Sequence, residues 1–308
     1  MMDTQKLSPS FSCPIRRYVP SLPREAMKKA ETELNETDEL REKCIIKLRN
    51  WIETRPDLGL MDIGDLTLIW FLRSSKYDID RTQKRLENYF TFRKNVPEWF
   101  SNRDPNLPEL NKLFSLGCYL PLKHYDRDGR RVVLVRCCVH SPRQTVQDDV
   151  FKAGNMIQEI LNRMDELISI YGVVAIFDLK GASLAHGMAM TPNIIKKAVT
   201  SWQDCVPVRI KALHFINTPY NVHIVLSIFK SFMKEKLRKR VHLHGGNLSS
   251  FHSYVPLGIL PEEYGGMSGP TEELVEYWKQ STEAAREWYL EEDKYLKESV
   301  AEKNFEKL

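Results

Sequence analysis

Three groups of side chains along this 308-residue chain stand at spacings that could do chemistry. His242 and His244 are two apart, so on a strand both imidazoles share one face at metal-compatible spacing. No third ligand stands near with convincing geometry, so the expectation is a structural pair with satisfied hydrogen bonds. Asp178 closes the apolar run "GVVAIFDLKG", where α/β enzymes often keep a catalytic carboxylate. A lone Asp there caps the following turn instead. The paired acids Asp148-Asp149 and Glu262-Glu263 fall at element ends or in loops and read as caps or solvated charge. Gly245-Gly246 is no phosphate loop: G-x-x-x-x-G-K-[ST], G-x-G-x-x-G and G-x-S-x-G are all absent. No catalytic constellation emerges. The chain is not read as an enzyme, and no metal is expected.

The third group is basic. The stretch "FKSFMKEKLRKRVHLHG" (229–245) is greasy at the front and cationic at the back. Between Val206 and His242 stand eight Lys/Arg against one Glu, in a chain whose net charge is only +4. Positive charge is therefore concentrated in one segment. Arg209 and Lys211 are two apart, on one face of a strand; Lys236 and Arg240 are four apart, on one face of a helix. Both pairs suit an anionic headgroup, and both also suit a solvated face. Aromatics do not interleave with these bases, so single-stranded nucleic acid lacks a stacking platform.

The elements that hold these groups follow from periodicity. Residues 1–23 hold four prolines without periodicity and read as a loose arm. Residues 24–115 read as a small helical module. In it Leu40, Cys44, Leu48, Trp51 and Ile52 share one face, and Asp78 or Asp80 caps a helix carrying Leu86, Tyr89, Phe90 and Arg93. From 116 to 270 strands and helices alternate. Two alternating strands flank Asp128-Gly129, a hairpin turn. A long helix, "DDVFKAGNMIQEILNRMDELISIY", leads to the buried strand 172–178; a helix over 192–203, strand "IKALHFIN", another helix and strand "VHLHG" follow. This alternation implies an α/β layer with parallel pairing. Residues 271–308, with eleven acids against six bases, read as an acidic C-terminal helix.

The helix over 220–238 is too apolar for one neighbour. Val222, Val225, Leu226, Phe229 and Met233 share one face, while Ile224, Ile228 and Phe232 occupy a second. A surface helix needs an apolar stripe of only about 100°. The surplus calls for a second apolar contact: another protein layer, a bound lipid or a membrane. The six cysteines show no C-x-x-C spacing, the first 20 residues lack the apolar core of a signal peptide, and no run reaches about 18 apolar residues. A cytoplasmic chain with reduced thiols and at most peripheral membrane contact is expected.

The stretches "FLRSSKYDIDRTQKRLENYFTFRK", "GVVAIFDLKG", "PVRIKALHFINTPYNVHIVLSIFKSFMKEKLRKRVHLHGGN" and "LPEEYGG" occur in the order of the CRAL-TRIO lipid-binding and transfer proteins, which residues 40–270 resemble. The likeness is nearest to the branch that carries α-tocopherol and retinaldehyde. It implies a helical N-terminal module followed by an α/β lipid cage, with a mostly parallel sheet as floor, residues 220–238 as gate, and a C-terminal helix. It also implies a hydrophobic, isoprenoid-type ligand, tocopherol-like or else a retinoid or carotenoid, and no cofactor beside it.

By the same resemblance Arg209, Lys211, Lys236 and Arg240 contact a phosphoinositide headgroup, and Val222, Val225, Leu226, Phe229 and Met233 form the gate stripe. Cavity walls are expected from Phe151, Met156, Ile157, Gln158, Ile160, Val173 and Phe177, then Leu184, Met188, Met190, Ile194, Ile195 and Trp202, with Ile210 and Leu213. Asn155 and Gln158 stand where tocopherol-binding members carry small hydroxyl residues, which argues against tocopherol itself. The rival from another class is a phosphoinositide-sensing membrane adaptor without net lipid transfer.

Overall fold

Side-chain caps and left-handed stops punctuate the N-terminal helices. In this computed structural model, which describes residues 18–58, 63–220, 222–246 and 248–294, α1 (Arg24–Leu34) stops at Asn35 with φ 66°. Asn tolerates that left-handed backbone. The Thr37 hydroxyl accepts from the Leu40 amide to open α2 (Asp38–Glu53). Asp78, which follows α3 (Asp65–Ser75), accepts from the Arg81 amide to open α4 (Ile79–Asn95). Each such cap contributes about 1 kcal/mol. In this N-terminal part α5 (Pro97–Phe100) and α6 (Pro108–Leu116) begin on proline. Cys44, Leu48 and Ile52 of α2 bury against Phe71 and Leu72 of α3 and Leu86 of α4, as the periodicity predicts.

Gly117 has φ 65°, and a Cβ there would lie 2.4 Å from Val275, so only glycine makes this turn into the sheet. β1 (Tyr119–Tyr125) pairs antiparallel with β2 (Arg131–Arg136) across the expected Asp128-Gly129 turn. Next come α7 (Gln147–Met164), α8 (Leu167–Tyr171), β3 (Val173–Asp178), α9 (Leu184–Ala189) and α10 (Pro192–Thr200). A π-helical turn, Ser201–Cys205, leads into β4 (Ile210–Ile216). The order continues with α11 (Val222–Phe232), α12 (Glu235–Arg238), β5 (Val241–Leu243), α13 (Ser249–His252) and α14 (Thr271–Ala284). The sheet runs β1-β2-β3-β4-β5, and β2 through β5 are parallel.

Three stretches that read as continuous helices are broken. Asp165 separates α7 from α8 because its buried carboxylate accepts from Arg131 Nε (2.9 Å) and Nη2 (2.6 Å), and also from the Tyr125 hydroxyl and the Leu167 amide. The gate stretch breaks at Met233-Lys234, between α11 and α12. The C-terminal stretch turns at Ala285, fully buried beside Trp278 and Tyr289, and resumes as helix over 286–294. Most of the predicted arm and the last part of the predicted acidic helix, residues 1–17 and 295–308, lie outside the described residues.

A buried charge network ties the helical region to the sheet region. Arg73 on α3 is fully buried and donates to both Glu36 oxygens, to Glu166 Oε1 (2.7 Å) and to Ser169 Oγ (3.0 Å) beside α8. Such a cluster is tolerable because each charge meets a partner.

Candidate functional site

Strand register places one row of side chains across the whole sheet: Tyr119, Val135, Phe177, Phe215 and Leu243. The neighbouring row on the same face is Pro121, Val133, Ala175, Leu213 and Val241. The opposite face carries Leu120, Leu134, Ile176, His214 and His242. Successive residues of a strand point to opposite faces, and here the two faces differ. On central β3, Val174 (3% exposed) and Ile176 (0%) are sealed. Ala175 and Phe177, between and beside them, are only half-buried, as are Tyr119 and Val135, while Val133, Leu213 and Phe215 of the same face are buried.

Above this face lies α11, the helix that the resemblance reads as a gate. Phe177 stacks on Phe215 (centroids 4.8 Å apart, 12° between planes) and meets Trp202 of the π turn at 5.8 Å. Trp202 stacks on Phe229 of α11 at 6.0 Å and 9°. An aromatic ladder thus runs from floor to gate. Offset and stacked rings at these separations are favourable contacts.

Of the sequence-predicted wall residues, Phe151, Phe177, Met190, Ile194, Ile195, Trp202, Ile210 and Leu213 join this cluster, together with Val222, Val225, Leu226, Phe229 and Met233. Met233 does so from the break after α11 rather than from a helical turn. Met156, Ile157, Ile160 and Val173 lie in a separate cluster with β1, β2 and α14. The 3.6-residue period explains the split. Phe151, Gly154, Asn155 and Gln158 form one half-buried stripe of α7, and Met156, Ile157 and Ile160 point away from it. Leu184 and Met188 on α9 are 76% and 71% exposed, on the outer surface.

Gln158 carries a polar chain within this stripe. Its Oε1 accepts from the Tyr119 hydroxyl at 2.5 Å, and its Nε2 donates to Asn162 Oδ1 at 2.6 Å. Burial pushes the Tyr119 phenol up, well above its usual value. Asn155 Nδ2 is shielded from solvent and has no partner.

The bases gather from distant parts of the chain. Arg209 donates to the Ile170 carbonyl and faces Glu33 at 3.6 Å; Arg240 donates to the Ile210 carbonyl. Between Val173 and Val174 the β3–β4 register slips, which leaves Lys211 as an extra residue on β4. Such bulges re-aim a side chain. Burial, then the Arg209 charge, lowers the Lys211 amine to about 8.

Burial and the charges of Arg240, Arg81, Lys76 and Arg209 also lower Lys236. Lys76 and Arg81 thus belong to the same positive field, a role sequence reasoning missed because they lie in the helical module far upstream. Arg240 lies beyond the end of α12, so the four-residue helical spacing is not what brings it toward Lys236. A surface groove of about 610 Å³ opens beside Lys211, walled by Lys29, Arg127 and Arg130 but also by Glu25 and Asp128.

The other chemistry-competent groups are structural. His214 Nδ1 lies 2.9 Å from His244 Nε2, and His244 Nδ1 lies 2.9 Å from Ser250 Oγ. Burial, then the neighbouring His242 and His244, pushes His214 down to about 3, so the cluster core stays neutral. Asp178 accepts from the Lys180 amide, Asn217 Nδ2 and the Tyr264 hydroxyl (2.7 Å), which clamps three segments at the end of β3. Among the described residues no group of three or more His, Cys, Asp or Glu could hold a metal ion, and no helix is long and apolar enough to cross a membrane.

Comparison with known proteins fits this geometry. Residues 117–266 match the CRAL/TRIO domain, and residues 37–110 match a Pinta-like UBA domain. Alpha-tocopherol transfer protein-like of Homo sapiens is 36% identical over 253 residues, 82% of this chain and 73% of that protein. Clavesin-1 of Pongo abelii is 32% identical over 246 residues, 80% of this chain and 69% of that protein. Sfh5, in its crystal structure, matches 76% of this chain and 89% of its own at 16% identity and a TM-score of 0.49. With two matched domains in series and relatives at this identity over four-fifths of its length, the chain belongs to the CRAL/TRIO lipid-binding and transfer family.

Proposed function

We propose that the chain is a lipid carrier that takes an isoprenoid-type ligand between the sheet and α11 and exchanges it at phosphoinositide-bearing membranes, without a catalytic step. One observation carries this reading. Ala175 and Phe177 keep accessible surface in the middle of a five-stranded sheet, beneath helices, while their neighbours on the other face are sealed. Accessible apolar surface at the centre of a covered sheet is the signature of a ligand space, since protein interiors otherwise pack like organic crystals.

Asn155 supports a ligand with an oxygen at one end. Its unpartnered amide is a donor, and a buried donor left unpaired costs about 1–3 kcal/mol. A terminal carbonyl or hydroxyl oxygen would satisfy it, whereas a pure hydrocarbon would not. Exposed Leu184 and Met188, with Ile224 (58% exposed) on the outer side of α11, suit contact with the acyl region of a membrane. Arg209, Lys211, Lys236 and Arg240, with Lys76 and Arg81, supply the attraction to an anionic headgroup.

Vesicle-to-vesicle transfer tests the proposal. Protein loaded with retinal should move it from neutral donor vesicles to acceptors containing phosphatidylinositol bisphosphate, faster than to acceptors without it. Binding to such vesicles with no transfer would favour a membrane adaptor and contradict the carrier.

A further inference from the structure

The break that ends α11 is bridged on both sides by one side chain, while Arg238 Nη2 donates to the Met233 carbonyl (2.9 Å) from α12. Gln203, in the π turn Ser201–Cys205, donates from Nε2 to the Phe232 carbonyl (3.2 Å) and accepts at Oε1 from the Lys234 amide (3.0 Å). One amide thereby satisfies a carbonyl and an N–H that the broken helix leaves open. Two neighbours in the turn add to the hold. Trp202 stacks on Phe229 at 6.0 Å, and Asp204 pairs with Lys234.

The turn is itself fixed from outside the gate. Arg85 on α4 donates to the Val206 carbonyl (2.7 Å) and the Gln203 carbonyl (2.9 Å), and Asn88 donates to the Asp204 carbonyl (3.4 Å). These anchors belong to the N-terminal helical region. If α11 swings, the turn stays behind with α4, and the Gln203 bonds must break together with the Trp202–Phe229 stack and the Asp204–Lys234 pair. A π-helical turn is rare and is often found at functional positions.

We propose that Gln203 is the positioning residue of a latch: anchored on α4 through Arg85, it holds α11 against the floor and sets the rate at which the gate opens. The latch rests on the carrier reading only for its consequence, lipid release. Its mechanical part is testable without any lipid.

Amide hydrogen exchange on the full chain provides that test. Gln203→Leu removes both bonds at similar volume. Gln203→Glu keeps an acceptor for the Lys234 amide and removes the donor to Phe232. In Gln203→Leu, exchange over 222–234 should accelerate about tenfold, a factor that corresponds to about 1.4 kcal/mol. Gln203→Glu should give a smaller rise, and exchange over 173–178 and 210–216 should not change in either variant. Release of bound retinal into neutral vesicles should quicken in the same order. Unchanged exchange over 222–234, or a uniform rise over sheet and gate together, would overturn the latch. Faster gate exchange from a protein that releases no retinal in any form would support the latch and overturn the carrier reading.

Discussion

The two faces of the sheet are built from the same residue types and do different work. On the back face Leu120, Leu134, Val174 and Ile176 are sealed, and His214 is buried within hydrogen-bonded neighbours. On the gate face Val133, Leu213 and Phe215 are buried too, but Tyr119, Val135, Ala175 and Phe177 are left half-buried under a cover of helices. The back face holds the fold together; in the proposed carrier, the half-buried positions of the gate face leave room for ligand. The difference teaches that hydrophobicity alone does not separate core from site; relative closure of alternate residues on one strand does.

The largest expected effect separates charge from grease on the gate side. Replacing Arg209, Lys211, Lys236 and Arg240 together with Ala should lower partitioning onto phosphatidylinositol bisphosphate vesicles about a thousandfold, at roughly 1 kcal/mol per base near an anionic surface. Retinal uptake, measured by tryptophan quenching, should survive. Unchanged vesicle binding in a sedimentation assay would remove the patch from the account.

Next comes the contrast between the faces. Ile176→Ala on the sealed face should cost about 3 kcal/mol in urea unfolding and leave retinal affinity unchanged. Phe177→Ala on the gate face should cost about half as much, because its ring is already partly accessible, and should weaken retinal binding. Equal destabilisation by the two substitutions would erase the comparison.

The smallest effect is a pH dependence at Lys211. Its folded amine titrates near 8 rather than above 10, so it loses its proton as pH rises from 7 to 9. Vesicle binding should weaken about fivefold over that window, the loss of one charge worth about 1 kcal/mol. In Lys211→Arg the guanidinium stays charged and that step should vanish. The unfolded chain takes up this proton near 10.5 and the folded chain near 8, so stability falls as pH drops through that window and levels off below it. The Lys211→Met chain should therefore lose less stability than wild type as pH falls from 10 to 7.

Much of the architecture was legible because period and punctuation agree. Asp78 and the Asp128-Gly129 turn mark element boundaries, and the two-sided apolar pattern of 222–232 marks a helix with a second apolar neighbour. What the pattern hid came from distant partners. Asp165 breaks a helix because Arg131 needs its carboxylate, and Gln203 bonds the break at Lys234 from 31 residues away. Neither tie leaves a periodic trace. The site was legible in part. The gate stripe and floor residues meet in one cluster, but a helix wheel without a neighbour could not say that Met156, Ile157 and Ile160 face a different cluster from Phe151. It could not say either that Leu184 and Met188 face outward.

The central claim is that the gate face encloses lipid. Ala175→Trp would fill that space from the middle of β3, so native mass spectrometry of this variant beside the unaltered chain, each purified from lipid-fed cells, tests the claim most directly. The account predicts an apolar lipid bound to the unaltered chain and none bound to a folded Ala175→Trp chain. A bare unaltered chain, or equal lipid on both, would contradict it.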